Sequence, residues 1–291
     1  MDGGFINVVK VGILKDWDIT ERAGGAQRAM QLFERGAPSG VELSRILATS
    51  EELDPTCDAY ITGLVKNYPD HLLQQLVDSG KPHLDYQFDL WSDAPNGVTW
   101  ARKLTENAKV VMFPSPLYRD LFLRGWHLDS KENYVALAPP MDLDELKPHR
   151  EKWDKQKREG ICYFGEVHPL KGVDIAIKWA ANEGQVLDIY GPLSYQFAAT
   201  PHARYNGCPD QYTLYDAVAS HEWFIHMPRQ VDGFSYSILE AQLLGLRVYA
   251  NGKLGIESWL EVCQQGGFEE LVEKCVMSTY TFWEMFTRSV N

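Results

Sequence analysis

The chain has 291 residues, 45% of them hydrophobic and 12% aromatic, enough to build the cores of two average domains. Its 28 Lys and Arg against 40 Asp and Glu leave a net charge of −12, which argues against an overall basic nucleic-acid or membrane surface, although a local basic groove is compatible with it. No 18 apolar residues run together and the N-terminus lacks a signal-peptide cleavage pattern, so a soluble, cytoplasmic protein without membrane insertion is expected.

In chain order, residues 8–14 read as a strand, and Gly24-Gly25 open a helix whose Ala26, Ala29, Met30 and Phe33 share one face. Residues 41–48, 59–62, 83–88, 110–113 and 134–138 supply further short strands with helical text between several of them. This half reads as a doubly wound α/β domain over 1–150. The polar run 148–160, rich in Lys, Arg, Asp and Glu, reads as a partly helical hinge to a second domain over 151–266. There the pattern repeats: a strand at 161–164, a loop at 165–170, and a helix opened by Lys171-Gly172 with Val173, Ala176, Ile177 and Ala180 on one face. A strand at 186–190, a turn at 205–209, a helix at 212–219 and a strand at 223–227 follow. Residues 267–289 read as a long closing helix with an aromatic end, expected to return toward the first domain.

The most informative stretch runs from Met227 to Trp259. Asp232 and Glu240 stand eight residues apart around the start of an otherwise apolar helix, which Gly245 ends before a strand at 247–250. A helix start beside a Gly-containing loop offers free N–H groups and a partial positive charge, an anion site. A carboxylate among Ser-Ile-Leu-Glu-Ala-Gln-Leu-Leu is costly unless hydrogen-bonded, and ligand hydroxyls are one way to satisfy Glu240.

Four motifs then occur in order: Phe164 to Gly172 (FGEVHPLKG), Leu187 to Pro192 (LDIYGP), Asn206-Gly207 with Leu214-Tyr215, and Asp232-Gly233-Phe234 through Glu240-Ala241 to Val248. This series resembles the C-terminal domain of retaining GT-B glycosyltransferases of the glycogen-synthase and sucrose-synthase superfamily. Gly24-Gly25-Ala26-Gln27 is similar to that family's glycine loop, and Pro139 to Asp142 sits where a strand-ending element would fall. The resemblance implies two Rossmann-like domains facing an interdomain cleft. It also implies a nucleoside-diphosphate sugar as donor, a UDP-sugar first, with neither metal nor other cofactor.

By the same resemblance Lys171 contacts the donor diphosphate, Glu240 accepts from ribose hydroxyls, and Asp232, standing for the family's first Glu, holds hydroxyls of the transferred sugar. The amides of Gly233, Phe234 and Ser235 face the sugar and phosphates, and Gly24 and Gly25 let the opposite backbone approach, though a plain turn explains that pair as well. Two departures stand out. Glu166 occupies the place of an Arg that the family puts five residues before the Lys, and a carboxylate there repels a diphosphate. Arg229 is the candidate compensating cation, with Arg22 and Arg247 behind it. Phe88 stands where the family has a His next to Asp89, which brings a donor without a C6 hydroxymethyl group, such as a pentose, into view.

Rival readings have less support. Asp16-Trp17-Asp18 has the spacing of a GT-A metal motif, but Asp142-Leu143-Asp144 shows how readily that spacing arises, and loop acids explain it. His221 and His226 are five apart in strand-like text, which is not a zincin helix. The five scattered cysteines contain no CxxC pair, and GxSxG and GxxxxGK[ST] are absent. Three acceptor classes stay open: a small metabolite, a saccharide, or a hydroxymethylated DNA base, the last because so short a chain resembles phage-encoded members. Arg119, Arg124 and Trp126 are the residues for a DNA contact, against the plainer reading of a surface helix. A nucleotide-sugar binder that has lost catalysis is the alternative outside enzymes, given Glu166 and Phe88. Oligomeric state is not legible.

Overall fold

Two sheets, each parallel throughout, organise the protein in a computed structural model that describes residues 8–15, 24–63, 68–88, 97–252, 254–263 and 266–290. The first contains β1 (Val9–Lys15), β2 (Val41–Leu47), β3 (Ala59–Gly63), β4 (His83–Tyr86), β5 (Val110–Phe113) and β6 (Tyr134–Ala136), in the order β2-β1-β3-β4-β5-β6. Every residue of β3 and β4 is buried, as strands covered by helices on both faces require. On one face α2 (Asp70–Asp78), α3 (Gly97–Asn107) and α4 (Pro116–Gly125) supply Leu72, Leu76, Leu104 and Phe122 to a core that includes Tyr60 and Val111. On the other lie α1 (Gly25–Arg35) and the last helix, α10 (Gly267–Val290), where Phe33 stacks on Phe282 at 4.1 Å between centroids and Trp283 Nε1 donates to the Phe33 carbonyl at 2.8 Å.

The second sheet contains β7 (Ile161–Phe164), β8 (Leu187–Tyr190), β9 (Ala203–Tyr205), β10 (Trp223–His226) and β11 (Arg247–Ala250), in the order β11-β10-β7-β8-β9. Its helices are α5 (Lys147–Trp153), α6 (Val173–Asn182), α7 (Gln211–Ala219) and α8 (Tyr236–Leu244), and α9 (Gly255–Val262) follows β11. Two compact units result: Met1–Met141 with Ser258–Asn291, and Asp142–Glu257. The polar run after Met141 is bound into the second unit, because Arg150 and Arg158 donate to the carbonyls of Leu243 and Leu244 (3.4 and 2.6 Å) and so satisfy the C-terminus of α8.

Local differences from the sequence expectation have local causes. In α1 it is Gln27, not Ala26, that is buried along with Ala29, Met30 and Phe33. Lys171 does not open a helix. Pro169–Lys171 form a single 3₁₀ turn, started by His168, whose Nδ1 accepts from the Leu170 amide at 3.2 Å, and Gly172 then turns left-handed (φ 67°) before α6 begins. β4 ends at Tyr86, two residues early, although Gln87 still donates its amide to Met112 at 2.8 Å.

Candidate functional site

In the second sheet the chain leaves β7 toward β8 and β9, then returns to the other side of β7 as β10. The β7/β10 boundary is therefore a topological switch point, where the loops after two neighbouring strands diverge beyond their C-terminal ends. Here the two loops are held against each other. The Arg229 amide donates to Leu170 at 2.8 Å, and a Cβ on Gly172 would lie 1.7 Å from the Met227 carbonyl oxygen. Only glycine satisfies both that approach and the left-handed backbone.

This contact carries Lys171 to Asp232. The Lys171 Nζ lies 3.0 Å from Asp232 Oδ2, and His226, the last residue of β10, places Nε2 3.1 Å from the same oxygen. The Asp232 backbone is fixed separately, its carbonyl accepting from Gly255 at 2.8 Å. Desolvation pushes the Asp232 carboxyl upward, but the Lys171 charge and the His226 bond outweigh it and hold the group well below the usual carboxylate range. Asp232 is thus an anion with one oxygen occupied twice. Its Oδ1 has no side-chain or backbone hydrogen bond among the described residues.

Three residues on, Ser235 begins α8 with φ 67° and ψ 71°, a left-handed conformation uncommon for any residue but Gly, Asn or Asp. It is 5% exposed, its Oγ has no hydrogen-bond partner among the described residues, and it does not cap the helix, so the first amides of α8 receive no side-chain cap from it. Phe234 beside it is buried and meets Tyr236 edge-on at 5.7 Å, while Gly233 is half-buried. Glu240, further along α8, is buried and accepts from the Tyr215 hydroxyl of α7 at 2.7 Å. The structure therefore joins Lys171 directly to Asp232, whereas Glu240 is engaged by Tyr215 and lies on the same helix that Ser235 starts. From the sequence His226 is weighed only as a zincin ligand, and Tyr215 has no task. The available signals were a histidine ending an apolar strand six residues before Asp232, and a tyrosine inside the third motif.

The remaining residues singled out from the sequence are placed as follows. Glu166 is exposed and accepts from the Ser194 hydroxyl, which ties the loop after β7 to the loop after β8. Arg229 donates to the Pro169 carbonyl at 3.2 Å and pairs with Asp174 in the first turn of α6. Arg247 begins β11, at the N-terminal edge of the sheet, and pairs with Glu222 at 3.1 Å, so it stands at the opposite edge from Lys171. Gly24 has φ −74° and ψ 172°, a conformation open to any residue, and precedes Gly25, the first residue of α1. On α4, Arg119 pairs with Asp120 at 3.0 Å and the exposed Arg124 donates to the Asp120 carbonyl at 3.2 Å. Trp126 follows that helix, half-buried against the core and edge-on to Phe122 at 6.2 Å. Asp89, Arg22 and Asp16-Trp17-Asp18 lie outside the described residues.

His221, two residues before β10, and His226, its last residue, serve different carboxylates. His221 Nε2 lies 3.2 Å from Asp188 Oδ2, which also takes the Arg204 guanidinium (2.5 and 2.6 Å, one to each oxygen), while Asn206 donates to Oδ1 at 2.7 Å. Among the described residues no three His, Cys, Asp or Glu side chains form a metal-binding group. Burial works against the Asp188 anion, but these donors outweigh it and lower its pKa to about 2. A carboxylate lowered on folding contributes stability that is complete above its unfolded value near 4 and is lost as pH falls toward 2, here about 1–2 kcal/mol once solvent screening of the exposed Arg204 partner is allowed for. Urea melts between pH 2 and 5 are expected to show this acid loss, and Asp188→Asn to flatten it while lowering stability at pH 7. An unchanged acid profile in the variant would show that other groups are responsible.

No family model and no curated protein matches the sequence. Solved structures do match in shape. HepE of Anabaena, solved with UDP and glucose, superposes with a TM-score of 0.67 at 11% identity, covering 97% of this chain and 99% of its own. An alpha-glucosyltransferase solved with UDP-glucose and DNA containing an abasic site gives 0.59 at 11% identity, over 97% and 99%. The chain has the GT-B fold. WaaG, a glycosyltransferase involved in lipopolysaccharide biosynthesis, shares that fold at a TM-score of 0.56 and 13% identity, over 97% of this chain and 94% of its own. In this GT-B chain each unit carries one parallel sheet, and the Lys171–Asp232 pair sits at the switch point of the second. No described helix is long and apolar enough to cross a membrane.

Proposed function

We propose that this protein is a retaining glycosyltransferase that moves a sugar from a nucleoside-diphosphate donor, a UDP-sugar first, to an acceptor hydroxyl. One observation carries the reading: a lysine ammonium and a carboxylate in contact at the switch point, the carboxylate three residues before Ser235, the N-cap of α8, whose buried hydroxyl has no hydrogen-bond partner among the described residues. A diphosphate needs a fixed cation and a favourable potential where charge grows as the sugar leaves; Lys171 supplies the first and the positive end of the α8 dipole the second. Asp232 supplies an acceptor for sugar hydroxyls, and Glu240, on the helix that begins there, an acceptor for a ribose diol. The GT-B neighbours solved with UDP or UDP-glucose support the donor class.

In this reading the acceptor hydroxyl approaches the face from which the diphosphate leaves, through an oxocarbenium-like transition state, and a leaving phosphate oxygen takes the proton. Retention requires no protein nucleophile on that route. Glu166, engaged with Ser194, and Arg229, engaged with Asp174, frame the phosphate side, with Arg229 as the nearby cation in place of the family's Arg. Donor contacts by Gly24 and Gly25, a catalytic role for Asp89 beside the transferred sugar, and DNA contacts by Arg119 and Arg124 belong to the same proposal. For Trp126 a stacking role must compete with its packing on Phe122.

The test is mass spectrometry of products from a panel of UDP-sugars with hydroxymethylated duplex DNA, an oligosaccharide mixture, or no acceptor, followed by NMR of the product anomer. Transfer with retained configuration is expected for one acceptor class. Tight donor binding without transfer to any acceptor would favour the impaired binder, and an inverted anomer would refute the mechanism.

A further inference from the structure

His226 is 2% exposed, and its ring lies nearly parallel to those of Tyr163 (6.3 Å, 14°) and Phe224 (5.8 Å, 19°). Among the described residues the ring's only polar contact is Asp232: Nε2 bonds Oδ2 at 3.1 Å, while Nδ1 is buried without a hydrogen-bond partner. Because the Asp232 carboxyl is ionised and can only accept, Nε2 carries the proton. Burying an imidazole with one nitrogen unsatisfied is unfavourable, so a purely structural site would be better filled by an apolar side chain. The bond to Asp232 is what this histidine adds.

Lys171 grips the same oxygen but differs in kind. Its side chain is 34% exposed and ends in a point charge on a flexible stem, for which an arriving diphosphate competes. His226 ends a strand in the sheet and is hemmed in by two aromatic rings, so its donor stays in place when the ammonium is shared. With Oδ2 held by a rigid donor and the backbone carbonyl held by Gly255, the plane of the carboxylate is set and Oδ1 is left to a ligand.

We infer that His226 is a positioning residue that aims Asp232 Oδ1 at a hydroxyl of the transferred sugar, so that it governs recognition of the sugar but not of the nucleoside diphosphate. This rests on the donor reading proposed above.

The experiment compares the full-length protein with His226→Gln and His226→Asn, measuring binding of UDP and of UDP-glucose by calorimetry. Both replacements are polar and compact, but only the glutamine amide reaches the position of Nε2. His226→Gln is expected to keep UDP-glucose affinity within about threefold, whereas His226→Asn weakens it about tenfold, the loss of one hydrogen bond to a charged group. UDP itself should bind both variants as it binds the parent, which also reports that they fold. Asp232→Asn is expected to abolish the difference between the two His226 variants.

Equal weakening of UDP and UDP-glucose in His226→Asn would make the residue structural and overturn the inference. So would unchanged UDP-glucose affinity in His226→Asn when Asp232→Asn does weaken it, and that result would leave the donor reading intact. A parent protein that binds UDP-glucose no better than UDP, with Asp232→Asn silent, would overturn the donor role of Asp232 and this inference together.

Discussion

Lys171→Ala is expected to lower kcat/KM for the sugar nucleotide by about 10²–10³-fold, the usual cost of removing one fixed donor aimed at charge developing in the transition state. Two effects act in the same direction. The variant lacks the cation that would face the departing diphosphate, and it exposes that diphosphate to a carboxylate the ammonium had neutralised at 3.0 Å. The second effect is separable, because in Lys171→Ala/Asp232→Asn the repulsion is gone. UDP should bind the double variant better than the single one, while kcat stays low. Steady-state kinetics with UDP titrations by calorimetry check both parts. A Lys171→Ala enzyme within threefold of the parent would remove Lys171 from the chemistry.

The largest expected effect on stability is that of Gly172→Ala. Two costs coincide there: a left-handed φ of 67°, worth about 1–2 kcal/mol for a residue with a Cβ, and a Cβ 1.7 Å from the backbone oxygen of Met227. Neither partner is a flexible side-chain tip, so the loops after β7 and β10 must separate. Gly184, after α6, is the internal control. Its φ of 66° is nearly the same, but a Cβ there would meet nothing within 4 Å. Gly184→Ala is expected to cost about 1 kcal/mol and Gly172→Ala about 3 kcal/mol or more, with a fall in Tm of about 10 °C in thermal melts. Because those two loops bring Lys171 to Asp232, the folded fraction of Gly172→Ala should also bind UDP-glucose more weakly. Equal melting temperatures for the two variants would contradict the close contact.

Much of the secondary structure was legible because it is encoded over a few residues. The strands at Val110–Phe113, Ile161–Phe164 and Arg247–Ala250 are short apolar or β-branched runs between turn residues, and they occur where read. Alternation of such strands with amphipathic helices also implied parallel sheets. Around the 3₁₀ turn the reading failed, since Lys171-Gly172 resembles a helix start until Pro169 and the left-handed Gly172 are seen to form a separate turn.

The site was legible only as residue types in an order. That a lysine, an aspartate and a glutamate matter could be argued from charge in apolar surroundings and from the motif series. Their partners could not, because partners are chosen across strands. Arg229 was a candidate for the phosphates, yet it pairs with Asp174, and Glu166 pairs with Ser194, both contacts between separate loops. His226 and His221 look like a pair in the sequence, but His221 precedes β10 and His226 ends it, and each bonds a different aspartate.

By itself the sequence determined which segments become strands and most helices and which acids and bases are available, since these depend on side-chain periodicity and backbone sterics among near neighbours. Only the tertiary structure decided that β10 lies beside β7. From that adjacency come the meeting of Lys171 with Asp232 across sixty-one positions and the second hold on Asp232 from His226. Strand order is a property of the whole sheet's packing, and no local pattern carries it.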